Sequence, residues 1–114
     1  MAKSLIVLHA APQAADNRAL TAIRLAGALL ADDKEVDLFL VEAGARLADP
    51  ELAEDNPCQP LFHEMIAVGM RVFVCGFTMR KLGWEENMLS PGIARGSMKM
   101  LSALMSQAKE IVTL

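Results

Sequence analysis

Cys75 is the residue of this chain with the clearest chemical potential. It ends an apolar run, Arg71-Val72-Phe73-Val74, and is followed at once by Gly76 and a short helical segment, Phe77 to Gly83. A thiol at that junction meets the first amides of a helix, whose unpaired N–H groups and positive dipole end favour a thiolate, the nucleophilic form of sulfur. The bland reading is a small, inert, buried hydrophobe. Cys58, between Pro57 and Gln59 in an acidic stretch, has no helix end or basic neighbour to activate it. It reads as incidental, or as a resolving thiol if the fold brings it to Cys75. His9 follows the first apolar run, where it either shuttles protons or packs a loop. His63, behind Phe62 on a helix, reads as structural or solvated. Two His and two Cys far apart do not make a zinc site. The eight methionines fall mostly in the second half and read as adaptable packing, not as soft-metal ligands.

The elements that must position Cys75 follow from hydrophobic periodicity. Ser4 to Ala10 reads as a buried strand. After a loop around Pro12, the residues Leu20, Ile23, Ala26, Gly27 and Leu30 share a helical face that Asp16 or Asn17 can cap. Val36 to Val41 is a second strand, and the acidic stretch Asp49 to Pro60 the longest irregular segment. A helix from about Leu61 to Val68 closes at Gly69, and Arg71 to Val74 delivers Cys75. Trp84 to Pro91 lacks periodicity and is expected to form a mobile loop, a lid for the site. Gly92 to Gly96 allows a short strand. Ser97 caps a helix with Met98, Leu101, Leu104, Met105 and Ala108 on one side, and Glu110 to Leu114 is the last strand.

Near-continuous apolar strands alternating with amphipathic helices imply a parallel sheet covered on both faces. The expected fold is therefore a single α/β domain over residues 1–114. It is flavodoxin-like and three-layered, with a mainly parallel five-stranded sheet, helices on both faces and a site outside the strands' carboxyl ends. A chain of 114 residues is too short for a second core. Its apolar content of 54% with only 4% aromatics is high for a small monomer, so a homo-oligomer is expected. A net charge of −3 with scattered Lys and Arg offers no basic face, and nucleic acid is not expected as a partner. The apolar run after Lys3 is too short for a signal peptide and no segment approaches transmembrane length. No membrane association and a cytoplasmic location, with both cysteines as thiols, are therefore expected.

Familiar uses of such a sheet find no footing here. His9-Ala10-Ala11-Pro12-Gln13-Ala14 carries neither a dinucleotide glycine pattern nor a Walker loop, nothing supports FMN, and no carboxylates follow the first strand to hold a metal. No cofactor and no metal are expected. A cysteine phosphatase needs an arginine six positions after its nucleophile, where this chain has Lys81, which lacks the planar fork.

Along nearly its whole length the chain resembles the DsrE/DsrF-like family of sulfur-relay proteins. The resemblance rests on the opening strand with its Pro-containing loop and Ala-rich helix, on Val36 to Leu47, on Val74 to Gly83, and on Pro91-Gly92-Ile93 and Ala108 to Val112. It implies small flavodoxin-like subunits assembled as trimers or hexamers. It also implies that Cys75 accepts sulfane sulfur as a persulfide and passes it between donor and acceptor proteins, as a sulfurtransferase subunit or carrier. Gly76, Phe77, Thr78, Arg80 and His9 are its expected support: amides of Phe77 and Thr78 beside the anion, Arg80 or Lys81 adding positive potential. Two positions depart from the family. Thr78 stands where many members have a second cysteine, which excludes a local dithiol cycle, and Leu82-Gly83 replaces a frequent Arg-Gly pair. Members without a working cysteine serve as structural subunits, so the alternative is a non-catalytic scaffold or ligand-binding module.

Overall fold

The structure is a computed structural model that describes residues 2–114. Five runs of β-branched and aliphatic residues form β1 (Lys3–Leu8), β2 (Glu35–Leu40), β3 (Arg71–Cys75), β4 (Ile93–Gly96) and β5 (Glu110–Thr113). All pairings are parallel, in the order β4-β3-β2-β1-β5. The flavodoxin-like, three-layer architecture read from the sequence is the one observed. The helices are α1 (Arg18–Ala31), α2 (Cys58–Ala67), α3 (Gly76–Leu82) and α4 (Met98–Gln107), with 3-10 segments at Glu42–Ala48 and Glu86–Met88.

Strand order decides which face each helix covers. The chain steps from β1 to β4 in one direction, and right-handed crossovers then keep the connections on one face. There α1, α2 and Met79 of α3 pack on Ile6, Leu8, Leu38, Leu40, Val72 and Val74. The return from β4 to β5 reverses direction, so α4 lies on the opposite face, with Leu104 against Leu5, Val7, Phe39, Val41 and Cys75. One face thus carries three helices and the other only one.

Three local readings change. α2 starts at Cys58, not Leu61, because the Asn56 side chain accepts the Cys58 N–H at 2.9 Å and opens the helix early. On α4 the inward row is Met100, Leu101 and Leu104, continued by Ala108 just past its end, while Met98 and Met105 are exposed. Trp84 to Pro91 is not a patternless lid. Trp84 and Leu89 pack on the three-helix face, the Trp84 N–H bonds the Met79 carbonyl at 2.9 Å, and Glu86–Met88 forms a 3-10 turn.

Candidate functional site

The carboxyl edge of the sheet is where the two layers part: the segments after β1, β2 and β3 leave toward one face and α4 begins on the other. A cleft of about 920 Å³ opens there. Its walls are Val7, Val41, Leu82, Met98 and Leu101, with His9, Glu42, Arg46, Asp49 and Lys81 as its charged or titratable groups. Cys75 is among the lining residues although only 4% of its surface is exposed. Cys75 therefore forms part of the floor of the cleft, almost entirely covered by its neighbours. Cys75 is the last residue of β3 and the N-cap of α3, so the amides that open α3 have no acceptor within the helix.

Of the residues expected to support Cys75, His9, Phe77 and Thr78 line the cleft with it. His9 is half-buried and held through its backbone, its N–H donating to the Leu114 carbonyl at 3.0 Å. Phe77 is 58% exposed. The Lys81 ammonium lies 4.8 Å from its ring centroid and the Arg80 guanidinium 6.0 Å, both within cation–π range. Lys81 lines the cleft, whereas Arg80 is outside the lining, so of these two α3 cations it is Lys81 that reaches the cleft. Gly76 also stands apart from the lining. A methyl group there would come 2.6 Å from Nε of Arg95, so the bare glycine lets an arginine from β4 lie against the start of α3. Arg95 is a cation beside the Cys75 junction that sequence separation hid.

Thr78 has a role that its sequence position does not announce. Its hydroxyl accepts the Glu42 N–H at 3.2 Å and so ties α3 to the segment after β2. Glu42 has φ 52°, a left-handed conformation that costs a side-chain-bearing residue about 1–2 kcal/mol. Two residues on, Gly44 is needed for space, because a methyl there would collide with the carbonyl oxygen of Leu8. The backbone after β2 is thereby folded tightly over the end of β1, and Glu42 is left on the cleft rim. Glu carries no αL signature, so no sequence signal marked Glu42.

Cys58 is not a partner for Cys75. It is buried in the cluster on the three-helix face, while Cys75 belongs to the cluster on the α4 face, with the sheet between them. Burial pushes the Cys58 thiol up, away from the reactive anion. The expected lid is likewise absent from the site, since no residue from Trp84 to Pro91 lines the cleft. Among the described residues no group of three or more His, Cys, Asp or Glu is arranged to hold a metal ion, and no helix is long and apolar enough to cross a membrane.

The model of the DsrE/DsrF-like family matches residues 3–114. The chain is 30% identical to the uncharacterized protein MJ0989 of Methanocaldococcus jannaschii, over 97% of this chain and 98% of that protein. Among solved structures it is similar to the ychN protein of E. coli, with a TM-score of 0.87 at 22% identity and full coverage of both chains. It is also similar to MTH1491 of Methanobacterium thermoautotrophicum, with a TM-score of 0.79 at 15% identity, again over the whole of both chains. At these identities the structural matches speak for the fold.

Proposed function

We propose, since the chain belongs to the DsrE/DsrF-like family, which as a family has a sulfur-relay type of role, that this protein carries sulfane sulfur as a persulfide on Cys75 and hands it to a partner protein. The observation that carries this reading is the position of Cys75, on the floor of an open cleft at the carboxyl edge of the sheet. Sulfur transfer requires a thiolate to attack a sulfane sulfur, and it requires room for one further sulfur atom above the cysteine. The cleft supplies that room. Apolar walls on several sides limit water around the bound sulfur, and Lys81 adds positive potential where an anionic persulfide would sit. Thr78 cannot resolve the persulfide, and Cys58 is across the sheet, so release falls to a thiol on the partner. We place the protein in the cytoplasm, as a homo-oligomer, with sulfur donor and acceptor proteins as its partners.

Mass spectrometry after incubation with a sulfane-sulfur donor tests this directly. One added sulfur atom on the wild-type chain, absent from Cys75→Ser, is the expected result. Absence of the adduct at every donor concentration favours the other reading, a scaffold or ligand-binding module in which Cys75 only packs.

A further inference from the structure

The cleft is much larger than one sulfur atom needs, and its charges are divided. Its volume of about 920 Å³ falls in the range of about 300–1,000 Å³ typical of small-molecule sites. Of its charged side chains, Arg46 and Asp49 pair with each other at 3.4 Å. Glu42 and Lys81 have no ionic partner within 4.0 Å among the described residues. One is an anion on the segment after β2, the other a cation on α3, and Cys75 lies on the floor of the same cleft. Glu42 is held there in a costly backbone conformation, with its N–H on the Thr78 hydroxyl. Strain of this kind persists where the surroundings over-determine it and clusters at ligand sites. Thr78 and Lys81 are three residues apart on one helix, so the residue that fixes Glu42 shares a helix side with the opposing cation.

We infer that the cleft is a recognition site for a zwitterionic persulfide of low molecular mass, whose ammonium is bound by Glu42 and whose carboxylate is bound by Lys81. This rests on the sulfur-carrier reading and names the donor for it. Transfer from such a donor, R–S–SH, needs no outside oxidant. The Cys75 thiolate attacks the terminal sulfur, a new S–S bond forms as the old one breaks, the proton stays on the transferred sulfur, and R–S⁻ leaves. Thr78 is a positioning residue, acting through Glu42.

Stable probes test the charge recognition without a labile persulfide. Four mixed disulfides with 2-thiopyridine carry glutathione, cysteamine, 3-mercaptopropionate or mercaptoethanol. Attack by Cys75 on the alkyl sulfur breaks the S–S bond and releases the chromophoric thione. Each rate constant is divided by that of the same probe with free N-acetylcysteine, and Cys75→Ser identifies the reacting thiol. The glutathione probe is expected to react about threefold or more faster than the mercaptoethanol probe, in the range of exposed ion pairs. Glu42→Gln lowers the ratio of cysteamine to mercaptopropionate rates and Lys81→Met raises it, each by about threefold or more. Thr78→Val shifts the ratio in the same direction as Glu42→Gln, and Thr78→Ser restores it. Equal normalised rates for all four probes, or a ratio unmoved by either charge variant, overturns the recognition site while leaving a reactive Cys75 in place. A Cys75 silent toward all four removes the carrier reading itself.

Discussion

At the scale of single residues, the tie between Thr78 and Glu42 governs the shape of the site. A threonine on a short helix is unremarkable in sequence, yet among the described residues its hydroxyl is the only side-chain acceptor of the strained Glu42 N–H. Replacing Glu42 by Gly removes the left-handed strain, so folding stability should hold or rise by up to about 1 kcal/mol, although the same change in a helix interior usually costs about that much. Thr78→Val should instead lose about 1–2 kcal/mol, because it leaves an amide without its acceptor. Urea denaturation of both variants checks the pair, and a marked loss of stability in Glu42→Gly would show that the conformation is unstrained.

Among the elements, β5 is the one whose attachment depends on pH. It is an edge strand, paired only to β1. Glu110 fastens it by accepting from the Lys34 ammonium at 2.9 Å and the Ser4 hydroxyl at 3.0 Å. The Lys34 hydrogen bond first, then that of Ser4, holds the Glu110 carboxyl below its ordinary value. A carboxylate depressed in the folded state contributes stability above its unfolded pKa and loses it as pH falls through the folded one. The protection of the Ile111 and Val112 amides, taken relative to their intrinsic exchange rates at each pH, should therefore fall on acidification below the carboxylate range. Lys34→Met should flatten that dependence, and salt should weaken it because the pair is exposed. Protection that does not change with pH in the wild type would remove Glu110 as the clamp. At the same amino end of the sheet there is a second device, with Arg71 gripping Asp37 through two hydrogen bonds of 2.6 and 2.8 Å across β2 and β3. Asp37 is only 5% exposed, so this bidentate pair satisfies a carboxylate that would otherwise be buried alone.

For the whole molecule, the uneven covering of the sheet is the informative property. The radius of gyration, 12.9 Å, is close to the value of about 13 Å for a chain of 100 residues, so exposed apolar side chains do not reflect loose packing. A parallel sheet is ordinarily covered on both faces. Here α4 alone serves one of them. Over β3 and β4 that face leaves Phe73 half-buried and Ala94 exposed, and Met98, Met105 and Ile111 are exposed on α4 and β5. We therefore expect further copies of the chain to cover this strip. Light scattering should give a mass of three or six subunits of 12.3 kDa, and Phe73→Glu should shift it toward one. A wild-type monomer at micromolar concentration would refute the assembly.

Alternation of apolar runs with amphipathic stretches made the parallel sheet legible from the chain alone, because buried strands and one-sided helices each impose a period on side-chain polarity. The junction of Val74, Cys75 and Gly76 was legible for the same reason, since a strand that ends where a helix begins presents its last residue at the carboxyl edge. Where α2 begins was not, because it depends on one side-chain bond from Asn56 to Cys58. Nor could spacing reveal that Cys58 and Cys75 lie on opposite faces of the sheet, that Lys81 and not Arg80 reaches the cleft, or that Arg95 rests against Gly76. Those facts follow from the order of the strands and from contacts between segments far apart in the chain. Periodicity reports the environment of a residue along its own element, whereas its neighbours across the sheet are chosen only when the layers close.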